Sequence, residues 1–311
     1  MTGNRQTHKT GAAASIRDRL LPLHPGTGFA MDGYFVWCGS VIYAEGAYHI
    51  FASRWEEGLT FPSGYMVGSE IVHGVSDRPE GPFSYVETVI GRRGGDFWDG
   101  QFAHNPQIVR CGDAYVLYYL GAVRTDTKAR RIGYAAAMSI NGPWVRSDAP
   151  IDLGRPDCNN PAAWVEDDGS VLLAFRYGNQ RIGVARAPRF DGAYTVVNDD
   201  ILPGVIAEDP FLWKDGRTGK YRMLLEDGRG TLTGGVKFGA LLESGDGSDW
   251  KPEDPVLCYD HTLRYDDGTV IRAERRERPQ LLFDADGSPT HLYTGVLYRG
   301  RTWNAVQPIG R

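Results

Sequence analysis

The chain has 311 residues with a formal net charge of −5, 40 glycines, 18 prolines and 12% aromatic residues. The acidic balance argues against general nucleic-acid binding, and the aromatic content argues against intrinsic disorder. No apolar run approaches the roughly 18 residues of a membrane span. We therefore expect a turn-rich globular protein that binds neither nucleic acid nor membrane.

Residues 1–30 are predicted to form an N-terminal arm or tail, followed by a single catalytic domain over residues 31–311. Residues 1–15 are polar and lack the apolar core of a secretory signal, which favours a cytoplasmic location. The four cysteines form no CxxC pair, so neither a zinc cluster nor a disulfide framework is indicated, and we expect free thiols. These cysteines are Cys38, Cys111, Cys158 and Cys258.

One pattern recurs along the chain: a polar pair, a proline, an apolar strand, a turn with Asp or Gly, and a second apolar strand. A first, degenerate copy lacks the proline. Between copies lies a second pair of strands, for example residues 132–137 and the segment after the Gly142-Pro143 turn. Each of the five units thus has four strands. The pairs that open the units are Trp37-Cys38, His104-Asn105, Asn159-Asn160, Glu208-Asp209 and Glu277-Arg278.

Four-stranded units repeated radially are the blades of a β-propeller. The sequence therefore predicts an all-β fold, a five-bladed β-propeller with four antiparallel strands per blade and a funnel-shaped active site at its centre. No helical stretch alternates with the strands, which disfavours an α/β fold. A two-sheet sandwich is the alternative, although it does not explain a five-fold recurrence. We expect residues 302–309 or residues 33–36 to close the ring.

The polar pairs open the innermost strand of each blade, so we expect their side chains to enter one funnel. Proline is tolerated at the first position of a strand, and it predicts an extended conformation for the residue before it. Three carboxylates, Glu208, Asp209 and Glu277, would converge there, and glycosidic chemistry needs an acid and a second carboxylate. The alternative for any one pair is a turn whose polar side chains cap local backbone.

Further candidates stand near the funnel mouth. Asp99 is a fourth candidate catalytic carboxylate, and its neighbour Trp98 is either a sugar-stacking platform or a core residue. Arg54 either binds an anionic group or forms a salt bridge between blades. The histidines show no metal spacing, so no metal site is predicted. The candidate substrate-binding residues are Trp37, Arg54, Glu70, Trp98, His104, Asn105, Asn160, Arg176 and Arg278.

Two blade edges, residues 76–83 (SDRPEGPF) and residues 139–144 (SINGPW), and the polar pairs before proline resemble five-bladed propeller glycoside hydrolases. The resemblance covers about residues 33–300 and extends to families 43, 32, 62, 117 and 130, with a pattern most similar to family 43. It implies an oligosaccharide or glycoside substrate and no required cofactor, with a structural Ca²⁺ in the central channel of some relatives. Family 117 also implies a homodimer through the N-terminal arm.

The same resemblance marks positions where this chain departs from family 43. The family's general base is an aspartate that opens blade 1, where this chain has Cys38. The family's pKa-tuning aspartate opens blade 3, where this chain has Asn160. The family's general acid opens blade 4, and there the resemblance points to Glu208 and Asp209.

Three functions remain open from the sequence. The first is hydrolysis of a terminal glycosidic bond of an oligosaccharide, with Glu208 or Asp209 as the acid and Asp99 or Glu277 as the base. The second is a glycoside phosphorylase that holds inorganic phosphate with an arginine. The third is a sugar-binding propeller without catalysis, favoured by the missing blade-1 aspartate. The candidate phosphate ligands are Arg54, Arg176 and Arg278.

Overall fold

The computed structural model describes residues 15–311 and shows a five-bladed β-propeller, as predicted. Four blades are antiparallel sheets of four strands in chain order. Blade 1 consists of β1 (Tyr34–Ala44), β2 (Ala47–Glu56), β3 (Glu70–Ser76) and β4 (Ser84–Ile90). Blade 2 consists of β5 (Phe102–Cys111), β6 (Ala114–Ala122), β7 (Arg131–Ala137) and β8 (Val145–Arg146). Blade 3 consists of β9 (Asn159–Val165), β10 (Val171–Tyr177), β11 (Arg181–Ala187) and β12 (Thr195–Asn198). Blade 4 consists of β13 (Ala207–Lys214), β14 (Tyr221–Asp227), β15 (Phe238–Ser244) and β16 (Lys251–Tyr259).

Blade 5 differs from the prediction because its sheet has three strands. The missing outer edge is covered by the N-terminal segment: the backbone N–H and C=O of Phe29 pair with those of Asn304, and the Leu21 N–H donates to the Pro308 carbonyl. Unpaired strand edges attract other chains, so this cover protects the edge and closes the ring. The strands are β19 (Arg275–Phe283), β20 (Pro289–Tyr298) and β21 (Arg301–Pro308), preceded by the hairpin β17 (Thr262–Arg264) and β18 (Val270–Arg272).

Residues 15–30, the described part of the predicted arm, pack on the propeller through the buried side chains of Ile16, Leu23 and Phe29. Residues 1–14, on which the predicted homodimer depends, lie outside the described residues. Helix in residues 15–311 is limited to two 3₁₀ turns, Arg17–Arg19 and Thr127–Ala129, and one α-helical turn, Tyr65–Gly68. Within that range no helix has the length and apolarity needed to cross a bilayer.

The apolar faces of neighbouring blades form the core. Between blades 3 and 4, for example, Leu172 and Ala174 lie in one buried cluster with Leu212 and Met223. The first strands of adjacent blades contact one another in a closed circle, from β1 through β5, β9, β13 and β19 back to β1. This circle brings the starts of the five inner strands to one end of the central axis.

Each inner strand carries a left-handed residue at the same place, the second member of its polar pair. The pairing register shifts at these positions or opposite them, so the residue sits in a β-bulge, which redirects its side chain. The extended conformation expected before proline is therefore wrong for the four of these residues that precede one, Asn105, Asn160, Asp209 and Arg278. Their φ angles are 57° for Cys38, 51° for Asn105, 50° for Asn160, 55° for Asp209 and 55° for Arg278.

A buried histidine pair lies between β2 and β3 of blade 1. His49 Nδ1 and His73 Nε2 are 2.8 Å apart, and the His73 ring stacks on Phe51 with no exposed surface. Burial, with a smaller contribution from the charge of His49, lowers the pKa of His73 to about 4.

We expect this pair to make the fold acid-sensitive. Between pH 6.5 and about 4 the unfolded chain binds a proton that folded His73 rejects, so the free energy of unfolding falls as the pH falls through that window. Urea unfolding at pH 7 and pH 4.5 should show a smaller loss for His73→Gln than for the native chain. His24→Gln, on a half-exposed imidazole, should keep the native loss; an equal loss in His73→Gln would contradict the assignment.

Candidate active site

A pocket of about 200 Å³ lies on the axis where the inner strands begin. Members of all five polar pairs line it, namely the left-handed residues of blades 1 to 4 and, from blade 5, Glu277. The pocket is lined by Trp37, Cys38, Trp55, Phe61, Pro62, Tyr65, His104, Asn105, Leu120, Arg130, Asn160, Arg176, Glu208, Asp209, Lys237, Arg275 and Glu277.

The five left-handed side chains form a chain of contacts that we call the floor ring: Cys38, Asn105, Asn160, Asp209 and Arg278. The Cys38 thiol donates to Asn105 Oδ1 at 2.7 Å, and the Asn105 amide donates to Asn160 Oδ1 at 3.1 Å. The Asn160 amide in turn donates to Asp209 Oδ1, and Arg278 Nη1 lies 3.6 Å from that same oxygen. The ring thus joins one residue from each blade.

Arg278 is fully buried beneath the pocket and does not line it. Its Nη2 donates to the carbonyl of Pro161 at 2.9 Å and to that of Asn105 at 3.4 Å. The prediction that Arg278 binds substrate is therefore not supported by its position, since its guanidinium points into the protein and pairs with Asp209.

Above the floor ring, one lysine serves three carboxylates. Lys237 Nζ lies 3.0 Å from Glu208 Oε1, 2.8 Å from Glu226 Oε1 and 2.9 Å from Glu277 Oε1. Glu226 has no exposed surface, whereas Lys237 reaches the pocket. Lys237 was not predicted from the sequence, because it precedes β15 in a glycine-rich loop and belongs to no repeat motif.

Burial and the neighbouring charges act differently on the pKa values of the three acids Asp209, Glu208 and Glu226. Burial, together with the negative charges of Glu208 and Glu277, outweighs Arg278 and raises the pKa of Asp209 to about 6. Burial also acts to raise the pKa of Glu208, but Lys237 and Arg176 outweigh it and hold that pKa below its ordinary value. For Glu226, burial dominates and raises the pKa well above its ordinary range. Asp209 is thus the group best suited to hold a proton near pH 6 in contact with a ligand.

Oxygen atoms of Asp209, Glu226 and Glu277 lie within 4.8 Å of one another, close enough to bind a metal ion. In residues 15–311 this is the one such group of metal-ligating side chains. The Lys237 ammonium contacts two of these three carboxylates and supplies their positive charge. A Ca²⁺ ion would meet like-charge repulsion there and few of the six to eight oxygen ligands it prefers.

Aromatic side chains form the wall of the pocket. Tyr65 stacks on His104 with ring centroids 4.3 Å apart, and Phe61 contacts Trp37 at 5.0 Å and Trp55 at 5.6 Å. Phe61 and Tyr65 come from the loop between β2 and β3. The Ser69 hydroxyl lies 2.9 Å from His104 Nδ1, and burial lowers the pKa of His104 well below its ordinary value. His104 is therefore a neutral hydrogen-bonding side chain in the wall.

Four predicted residues lie away from this pocket. Asp99 has no exposed surface and accepts hydrogen bonds from Tyr119 at 2.7 Å and Arg146 at 3.3 Å. Its carboxylate is therefore bound within blade 2 and does not reach the pocket. Trp98 is a core residue, and its indole N–H donates to the Ser147 carbonyl.

Arg54 and Glu70 form an ion pair within blade 1, with 2.7 Å between Arg54 Nη2 and Glu70 Oε1. The salt-bridge alternative is thus the observed one, although it lies inside one blade. The Arg54 guanidinium also stacks on Tyr34 and Tyr85, away from the axis. The predicted pocket residues that do share the pocket are Trp37, His104, Asn105, Asn160, Arg176, Glu208, Asp209 and Glu277.

We expect Arg278→Met to destabilise the protein by about 3–5 kcal/mol, because it leaves Asp209 buried without its cation. Adding Asp209→Asn should recover part of that loss, since a neutral amide needs no partner charge. Urea unfolding of both single variants and the double variant measures the coupling. Strictly additive losses would show that the two side chains do not interact.

No family model matches the sequence, and no curated protein matches it either. Solved structures do. A family 117 glycoside hydrolase from the marine bacterium Zobellia galactanivorans superposes with a TM-score of 0.66 and 14% identity, covering 94% of this chain and 89% of that one. A thermostable family-43 glycoside hydrolase gives a TM-score of 0.63 and 11% identity, covering 93% and 91%.

The catalytic domain of the Coprinopsis cinerea GH62 α-L-arabinofuranosidase gives a TM-score of 0.66 and 13% identity, covering 95% of this chain and 98% of that one. At sequence identities this low, the similarity establishes the fold but not the activity, because one fold hosts many functions. The chain therefore has the five-bladed propeller fold that these glycoside hydrolases share.

Proposed function

We propose that this protein is a glycoside hydrolase that cleaves the terminal glycosidic bond of an oligosaccharide or glycoside. One observation carries the proposal: carboxylate oxygens of Asp209 and Glu277 lie within 4.8 Å of each other in a pocket with an aromatic wall. Two carboxylates flanking one bond are what glycosidic hydrolysis requires, and aromatic faces supply apolar contact area for a sugar ring.

Asp209 serves as the proton donor and Glu277 as the second carboxylate. The pKa of Asp209, raised to about 6, leaves a substantial protonated fraction in mildly acidic solution. A separation of about 5–5.5 Å is typical of retaining enzymes, whereas inverting enzymes leave about 6.5–9.5 Å for a water molecule. With one oxygen of each carboxylate within 4.8 Å of the other, we propose the retaining course.

In that mechanism a Glu277 oxygen attacks the anomeric carbon while Asp209 gives its proton to the departing oxygen. The first product leaves as an alcohol, and the sugar stays attached to Glu277 as an ester. Asp209, now ionised, takes a proton from water, whose oxygen attacks the same carbon and releases the sugar. The Lys237 ammonium, 2.9 Å from Glu277, stabilises the carboxylate before attack and after release.

The pocket volume limits what is bound. Cavities for drug-sized ligands measure about 300–1,000 Å³, and the 200 Å³ of this pocket suits a single sugar ring. A pocket closed below by the floor ring admits a chain end rather than the middle of a polymer. The substrate class is therefore the terminal residue of a short oligosaccharide.

A sugar-binding propeller without turnover is the second candidate, and Cys38 and Asn160 favour it. The resemblance to family 43 places aspartates at these two positions, whereas here both side chains are hydrogen-bonded members of the floor ring. The phosphorylase alternative keeps Arg176 as its one predicted ligand in the pocket, since Arg54 is paired in blade 1 and Arg278 is buried.

Asp209→Asn and Glu277→Gln should each reduce kcat by orders of magnitude, because each removes one of the two required carboxyl functions. Turnover of a panel of aryl glycosides, with and without inorganic phosphate, is the measurement. Glu87→Gln, on the outer strand of blade 1 and half-exposed, is the matched control and should keep native activity. Near-native turnover in both variants would contradict the hydrolase mechanism. Binding of a glycoside without turnover in the native chain would favour the sugar-binding propeller.

With Asp209 as the donor, kcat/KM should fall about tenfold per pH unit above pH 6, as the donor loses its proton. Lys237 acts to lower the pKa of Asp209, so Lys237→Met should move this alkaline limb to higher pH, and Lys237→Arg should restore it. Lys220→Met, on a surface pair with Glu243, should leave the limb in place. An unmoved limb in Lys237→Met would argue against Asp209 as the donor.

A further inference from the structure

Charges alternate along one arc of the pocket wall. Arg176 Nε lies 3.7 Å from Glu208 Oε2, and Lys237 lies between Glu208 and Glu277. At the other end, Arg275 Nε lies 3.5 Å from Glu277 Oε1. Both ends of the arc are therefore guanidinium groups, and all five side chains line the pocket.

The two terminal arginines keep donors that the protein does not use. A guanidinium has five N–H donors, and separations of 3.5 and 3.7 Å are ion pairs rather than hydrogen bonds. Among residues 15–311, Arg176 donates one hydrogen bond, from Nη1 to Asn159 Oδ1, and its buried Nε has no hydrogen-bond partner. The Arg275 guanidinium contacts Glu277 and stacks on Phe61, with about a third of its side chain exposed.

The side chains that line the pocket also carry an excess of positive charge. Four cationic and three carboxylate side chains line the pocket. Arg130 is matched by Asp157 at 2.6 Å, and Asp209 is matched from below by Arg278. Two carboxylates, Glu208 and Glu277, then remain in the lining for three cations. A further acid, Glu226, contacts Lys237 at 2.8 Å but does not line the pocket.

We propose that this pocket selects a ligand that carries an oxyanion, held by the free guanidinium donors of Arg275, the more exposed of the two arginines; as a statement about the substrate, this rests on the proposed glycosidase function. A carboxylate or phosphate accepts two parallel N–H bonds from a guanidinium, with geometry and charge that a sugar hydroxyl does not offer. Within a pocket sized for one ring, the oxyanion belongs to the terminal sugar, as a carboxylate or a phosphate ester, or it is inorganic phosphate beside that sugar.

Binding of matched ligands tests the proposal without requiring turnover. Isothermal titration at constant ionic strength compares D-glucuronate with D-glucose, D-galacturonate with D-galactose, and glucose 6-phosphate and inorganic phosphate with chloride. We expect at least one of the oxyanions to bind at least about tenfold more tightly than its neutral counterpart or chloride, as a charge-assisted hydrogen bond predicts.

Arg275→Gln should remove that preference. Arg275→Lys keeps the positive charge but loses the two parallel N–H donors of the guanidinium, so it should restore only part of the preference. Arg272→Gln, an exposed residue of β18, is the control and should bind as the native chain does. A preference for uronate or sugar phosphate assigns the oxyanion to the sugar, and a preference for inorganic phosphate assigns it to a co-ligand.

Equal binding of charged and neutral ligands, no binding of any of the oxyanions, or an unchanged preference in Arg275→Gln would each overturn the proposal. These outcomes are separate from the test of the glycosidase function. An oxyanion preference without turnover of any glycoside would support the anion site and contradict the hydrolase mechanism. Turnover of neutral glycosides alone would support the hydrolase mechanism and contradict the anion site.

Discussion

The buried guanidinium of Arg278 is the interaction on which the centre of this propeller depends. It extends from blade 5, hydrogen-bonds carbonyl groups of blades 2 and 3, and pairs with Asp209 of blade 4. Blade 1 joins through the Cys38 thiol and Asn105. A buried charge is costly to leave without partners, so the position of Arg278 constrains the register of the other inner strands around the axis.

The chemistry of the pocket follows from that constraint. The floor ring fixes the second residue of each polar pair, and in blades 1, 2, 4 and 5 the first residue of the same pair lines the pocket. Glu208 and Glu277 therefore face each other across Lys237, whose two contacts of 3.0 and 2.9 Å keep their oxygens close together. The Lys237 ammonium, together with Arg176, holds the pKa of Glu208 below its ordinary value, and it also acts to lower the pKa values of Asp209 and Glu226.

The departures from the family 43 pattern have a common physical consequence. Where the resemblance places acids, Cys38 and Asn160 contribute hydrogen bonds instead of charge. Three carboxylates of the wall and floor, Glu208, Asp209 and Glu277, come instead from the openings of blades 4 and 5. The negative charge is thus concentrated on one side of the axis, and arginines flank it there, while the aromatic wall occupies the side of blades 1 and 2.

The sequence by itself determined the propeller, its five units and the convergence of the polar pairs, because each is a local pattern repeated at intervals along the chain. It did not determine the three-stranded blade 5, whose edge is covered by a segment roughly 275 to 290 residues distant along the chain, nor the left-handed bulges. Only the tertiary structure decided which charged groups meet. Asp99, Arg54 and Glu70 have the right chemistry but local partners, whereas Lys237 has no motif and is placed by the blade 4 loop among carboxylates of β13, β14 and β19. Such encounters depend on how blades pack in three dimensions, which residue spacing does not encode.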